Sequence, residues 1–141
     1  MQQSSLPAAL SPSPLPPSGS ISLTDWLNYM QGIHVSAIDM GLERVIPVFQ
    51  ALGIKQTDAF VFTVAGTNGK GSTTATIAEI CQQAGYKTAL YQSPHLLVFN
   101  ERVRINGEMV DDQTLIDAFA KIEQARIDCG LTLSFFEMTT L

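Results

Sequence analysis

The 141 residues are 45% hydrophobic and 15% charged, a balance that can build a buried core and excludes a chain disordered throughout. Eight basic against thirteen acidic side chains leave a net charge of −5, which excludes a nonspecific nucleic-acid binder, since that class needs a cationic surface. No apolar run approaches the roughly 20 residues of a membrane span, and the first Lys or Arg is Arg44, so neither a membrane anchor nor a signal peptide is expected and the cytoplasm is the expected location.

Residues 1–21 hold Pro7, Pro12, Pro14, Pro16 and Pro17 among many serines. Proline removes backbone donors and fixes φ, so this stretch is expected to be a disordered leader. Residues 22–141 are expected to be ordered. Ser22 and Asp25 form a near capping box for a helix over Thr24–Gln31, with Trp26, Leu27 and Met30 as apolar contacts and Gly32 as its end. Trp26 reads as a packing anchor. Leu42, Val45, Ile46, Phe49 and Leu52 carry helical spacing, interrupted by Pro47 and closed by Gly53.

Phe60–Ala65 is a β-branched, aromatic run suited to a strand buried on both faces. A glycine-rich turn, a helix from about Lys70 to Ala84 and a second strand over Lys87–Gln92 follow. Strand, loop, helix and strand in that order predict an α/β fold with a mostly parallel sheet flanked by helices. Arg102–Ile105 and Glu108–Val110 flank Asn106-Gly107, the signature of a type I′ hairpin. Asp111 or Asp112 opens a helix to about Asp128, with Leu115, Phe119 and Ile122 inward and Gly130 closing it. Leu131–Phe136 reads as a third strand, and Glu137–Leu141 begins what could be another helix. Cys81 and Cys129 read as reduced thiols, and His34 and His95 have no metal-ligand spacing.

The chemistry is concentrated in Val64-Ala65-Gly66-Thr67-Asn68-Gly69-Lys70-Gly71-Ser72-Thr73. Glycines let successive N–H groups converge on one concavity, and the helix behind adds unpaired donors and partial positive charge. Lys70 can reach outer phosphates, and Ser72 or Thr73 supplies a hydroxyl. The standard phosphate loop has glycine where Val64 stands and Ser or Thr where Gly71 stands, so this is a variant. The plain alternative is a tight turn with a solvated lysine.

The variant resembles the nucleotide loop of the folylpolyglutamate synthases, including the bifunctional dihydrofolate synthases, a branch of the Mur ligase superfamily. The resemblance extends over Met40-Gly41-Leu42-Glu43-Arg44-Val45, Ser93-Pro94-His95-Leu96, Asn100-Glu101-Arg102-Val103-Arg104-Ile105 and Ser134-Phe135-Phe136-Glu137. It implies part of a P-loop ATPase domain. The implied reaction activates a pteroate or folate carboxylate with ATP as an acyl phosphate, which the amine of L-glutamate attacks. It places ATP phosphates on Gly66, Thr67, Asn68, Gly69, Lys70, Gly71 and Ser72, with Lys70 neutralising the transferred phosphoryl group as the catalytic residue. Ser93 resembles a magnesium-binding serine, and a hydroxyl oxygen suits that hard cation. Asp39, Met40, Gly41 and Leu42 resemble one pterin-contacting segment, and Ser134, Phe135, Phe136 and Glu137 a second. Read without the family, Asp39 is a helix N-cap, Ser93 a turn residue and the two phenylalanines core. Glu137 is an acid after an apolar run and requires a partner. His95 is open between facing the substrate and stabilising its own loop, the second being the plainer reading, and Glu101, Arg102 and Arg104 read most simply as a solvated face.

The implied partners are ATP with Mg2+, dihydropteroate or folate, and L-glutamate, and the requirement for a monovalent cation such as K+ stays open. A monomeric parent is expected, with no nucleic-acid or membrane partner. Family members carry further sheet strands, more metal ligands and a C-terminal domain, so the chain is expected to be an N-terminal piece of a longer ligase. It is expected to be inactive alone and to leave apolar surface exposed. Two alternatives stand beside this: a piece of a UDP-muramoyl-peptide ligase of the same superfamily, and a non-catalytic nucleotide-binding module.

Overall fold

A computed structural model describes residues 22–34, 41–55 and 58–141. The expected leader over 1–21, and Asp39 and Met40, lie outside the described residues. The chain divides into two compact units, Met1–Gly53 with Phe119–Leu141, and Ile54–Ala118.

The first unit is helical. α1 spans Leu23–Ile33 and opens with the expected box: the Ser22 hydroxyl accepts the Asp25 N–H and the Asp25 carboxylate accepts the Ser22 N–H. Gly32 does not end it; the helix runs through to Ile33. Leu23, Trp26, Tyr29, Met30 and Ile33 are buried. They share the core with Phe119, Ile122, Ala125, Leu133 and Met138, each large apolar side chain contributing about 1.5–3 kcal/mol on full burial. Trp26 meets Tyr29 edge-on at 5.9 Å and Phe119 at 6.3 Å, which makes it the packing anchor expected. α2 spans Val45–Ala51. Pro47 falls at its third position, inside the first turn, where a missing N–H costs no helical bond. The apolar face expected over 42–52 is mostly outside: Leu42, Ile46 and Phe49 are exposed, and Val48 alone in α2 is buried.

Burial in this unit also takes in charge. The Glu123 carboxylate accepts from Tyr29 Oη at 2.6 Å and Arg126 Nε at 2.9 Å, and it also pairs with Arg126 Nη2. Arg126 Nη1 donates to the Leu131 carbonyl at 2.8 Å. All three side chains are at most 8% exposed. Burial, reinforced by Glu123, pushes the Tyr29 hydroxyl up to about 12.

The second unit holds α3, Lys70–Gln83, and a three-stranded sheet of β1 (Ala89–Tyr91), β2 (Val103–Ile105) and β3 (Glu108–Met109) in that order. Both pairings are antiparallel. This corrects the mostly parallel sheet expected. Phe60–Ala65 carries no ladder, and Phe60, Val61 and Phe62 are exposed. A strand buried on both faces needs neighbours, and among the described residues none pairs with it. The hairpin forms as expected, with Asn106 and Gly107 at φ 50° and 85°.

α4 spans Asp112–Asp128, and Asp111 caps it by accepting the Thr114 N–H at 2.7 Å. Gly130 follows at φ 65°. The third strand expected over Leu131–Phe136 is absent. Phe135–Thr140 instead forms α5, capped by Ser134 and Glu137.

Candidate functional site

The glycine-rich segment leads directly into α3. Gly66 lies at φ 149° and Gly69, the N-cap, at φ 78°. A side chain built at Gly69 or Gly71 would meet nothing within 4 Å, so the space over the loop is open. The Lys70 ammonium folds back and donates to the carbonyls of Gly66 at 2.6 Å and Thr67 at 3.1 Å. Thr67, Asn68 and Ser72 are exposed alongside it. This assembles an exposed ring of glycines, a helix start and one cation, a set suited to an anion with several oxygens.

The end of β1 lies against the first turn of α3. Gln92 Nε2 donates to the Gly71 carbonyl at 3.2 Å and to Thr74 Oγ1 at 3.1 Å. Ser93, the next residue, is exposed and joined to Pro94 by a cis peptide. Among the described residues no group of three or more His, Cys, Asp or Glu could hold a metal. The single Ser93 hydroxyl beside the glycine-rich turn is an oxygen donor that suits a hard cation keeping most of its waters.

Of the three charges expected on a solvated face, Arg102 is buried and Glu101 is tied to backbone amides, while Arg104 is half-buried and donates to the Gly107 carbonyl at 3.1 Å. Glu101 accepts the N–H groups of Leu96, Leu97 and Val98 at 2.8, 2.7 and 2.8 Å. Those bonds hold its carboxyl at about 2. Arg102 is buried, donates from Nε to His95 Nδ1 at 2.9 Å and lies 4.9 Å from the centre of the Phe99 ring. His95 accepts that bond, which agrees with its reading as a residue that stabilises its own loop. Sequence reasoning missed Glu101, although an acid three residues after the segment it caps is a recognisable spacing.

In the first unit the two segments that resemble pterin contacts approach each other. Gly41 and Leu42 are exposed, two to three residues before Arg44. Arg44 Nη2 donates to both Glu137 carboxylate oxygens, at 2.8 and 3.0 Å. Glu137 also accepts the Ser134 N–H at 2.7 Å. Burial alone would raise the Glu137 pKa, but the Ser134 amide and the Arg44 guanidinium outweigh it and hold the carboxyl below the usual range. The partner that Glu137 requires is thus Arg44, which sequence reasoning did not name. Ser134 is buried, Phe135 half-buried and Phe136 60% exposed, so Phe136 is not core and offers an open ring.

No family model matches the chain. It is 46% identical over 125 residues to the dihydrofolate synthase/folylpolyglutamate synthase of Escherichia coli strain K12, covering 89% of this chain and 29% of that protein. A Buchnera aphidicola protein of the same name is 41% identical over 120 residues, 85% of this chain and 28% of its own length. The structure matches E. coli FolC in complex with DHPP and ADP at a TM-score of 0.83 and 45% identity, over 89% of this chain and 30% of that one. It matches a bifunctional folylpolyglutamate synthase/dihydrofolate synthase from Yersinia pestis, complexed with AMPPNP and a Mn ion, at 0.81 and 40%, over 89% and 30%. The chain therefore spans about three-tenths of the length of the relatives it matches. Over that span it is similar to members of the dihydrofolate synthase/folylpolyglutamate synthase family.

Proposed function

We propose that this chain supplies the nucleotide half-site of an ATP-dependent ligase that joins L-glutamate to dihydropteroate or a reduced folate. The observation that carries the reading is the Gly66–Gly69 loop opening α3 with the Lys70 ammonium held over it. Solved relatives are complexed with ADP or with AMPPNP and a Mn ion, which supports a nucleotide ligand.

The amides of residues 66–72 hold the β- and γ-phosphates, and Lys70 moves from the Gly66 and Thr67 carbonyls to the transferred group. A substrate carboxylate oxygen attacks the γ-phosphorus, ADP leaves, and an acyl phosphate forms. The glutamate amine then attacks the carbonyl carbon, loses a proton and expels inorganic phosphate. Lys70 disperses charge on the phosphoryl oxygens as the bond to ADP breaks. Mg2+, when bound with the nucleotide, neutralises the phosphate oxygens, and Ser93 would hold it with water. Gly41, Leu42, Phe136 and Glu137, with Asp39, Met40, Ser134 and Phe135, form the proposed pterin side. The Arg44–Glu137 pair fixes its two halves, and the Phe136 ring is free to stack.

The chain alone binds nucleotide without completing the reaction, because Ser93 is its one proposed metal ligand. The test is titration of the purified chain with MgATP. Lys70→Ala is expected to weaken binding by at least about tenfold, the value of one lost charge-assisted contact. Equal affinity for the two proteins would refute the reading.

A further inference from the structure

Ser93 sits in a short span between two anchors. On one side, Gln92 is tied to the first turn of α3. On the other, His95 is tied to buried Arg102, and the next three amides are tied to Glu101. Apolar packing does not hold this segment: Leu96 and Leu97 are each 89% exposed. A run of two leucines turned to solvent has no burial to define its path, so its backbone is held by the groups that bond it. Glu101 takes three successive N–H groups with two oxygens. Arg102 beside it fixes His95 and rests on the Phe99 ring.

We propose that Glu101 is a positioning residue for the nucleotide-borne metal: by clasping the amides of Leu96, Leu97 and Val98 it sets the path of the chain after Pro94 and so the place of the Ser93 hydroxyl. The inference rests on the nucleotide half-site proposed above and deepens it. Glu101 touches neither nucleotide nor metal. It acts through backbone that Ser93 shares, as outer groups orient the direct ligands of other metal sites.

ATP affinity of the full chain is measured twice, with MgCl2 and with EDTA in its place, for the unmodified chain, Glu101→Gln and Glu108→Gln. Glu108 lies exposed on β3, and its substitution removes the same charge without touching the clasp. The unmodified chain is expected to bind more tightly with Mg2+. Glu101→Gln should lose about ten- to a hundredfold of the Mg2+-dependent affinity, the usual effect of removing an outer-shell partner. It should keep its affinity in EDTA, and the amides of residues 96–98 should exchange faster. Glu108→Gln should keep both affinities. A merely structural role would weaken binding in both buffers alike, and that result overturns the inference. So does a Glu101→Gln chain whose Mg2+ gain is intact. If Glu101→Gln does not fold, the same comparison on Glu101→Asp decides, since its shorter reach cannot serve all three amides. If the unmodified chain binds ATP in neither buffer, the half-site reading falls and takes this inference with it.

Discussion

Arg44 closes on both carboxylate oxygens of Glu137 across a separation of 93 positions in the chain. The Glu137 side chain is 7% exposed and that of Arg44 22%. Arg44→Met leaves a buried carboxylate without its cation and is expected to cost about 3 kcal/mol, the low end for a broken buried pair. Urea unfolding followed by circular dichroism measures it, and a loss below about 0.5 kcal/mol would place the pair among ordinary surface ion pairs.

The same carboxyl has a pH signature. Its folded-state pKa lies below the unfolded value, so its stabilisation is complete above the unfolded value of about 4.3 and is lost as the pH falls through the folded one. Glu137→Gln should therefore narrow its stability deficit against the unmodified chain as the solution is acidified below that point. A deficit that stays constant on acidification would show that the carboxyl is not the linked group.

Tyr29 carries the opposite sign. Its hydroxyl is raised from 10.0 to about 12, so the stabilisation is present in full below pH 10 and disappears as the pH rises toward 12. Tyr29→Phe is expected to cost about 1–2 kcal/mol at neutral pH, because the Glu123 carboxylate loses a donor. The gap between the two proteins should close between pH 10 and pH 12. Ultraviolet titration of the phenol in the folded chain checks the shift directly.

Gly69 and Gly71 should respond to alanine with opposite signs. Gly69 has a left-handed φ of 78°, where a side chain costs roughly 1 kcal/mol. Gly71 is the second residue of α3 with open space around it, where alanine should stabilise the helix by about 0.5 kcal/mol. In the nucleotide reading Gly71 lies close to phosphate, so Gly71→Ala should raise the melting temperature and lower ATP affinity together. A variant that gains stability and keeps full affinity would remove Gly71 from the proposed contact set.

Local signals read well in this sequence. Ser22 with Asp25, Asn106-Gly107, Asp111 and Gly130 each act within a few residues, and each forms the cap or turn expected. The misreadings came where composition was weighed against a cap or a distant partner. Leu131–Phe136 has strand-like residues, yet Ser134 and Glu137 repeat the spacing seen at Ser22 and Asp25, and the cap prevailed. Phe60–Ala65 has the composition of a core strand, but composition supplies no neighbour to pair with. At the candidate site the glycine-rich turn into α3 is legible because glycines, lysine and helix are contiguous. Arg44 with Glu137 was not, since nothing local joins positions so far apart. Glu101 lies in the 3-10 turn Phe99–Arg102 ahead of the hairpin, so its clasp on the amides of 96–98 does not follow from reading it as hairpin charge.

The Phe60 and Phe62 rings stand 4.9 Å apart on a segment outside any ladder. Phe60–Ala65 is aromatic and β-branched, uncharged and free of proline, the makeup of a segment that recruits strands from other molecules. The isolated polypeptide is therefore expected to self-associate through this segment as its concentration rises, and a single lysine in place of Val61 should delay precipitation.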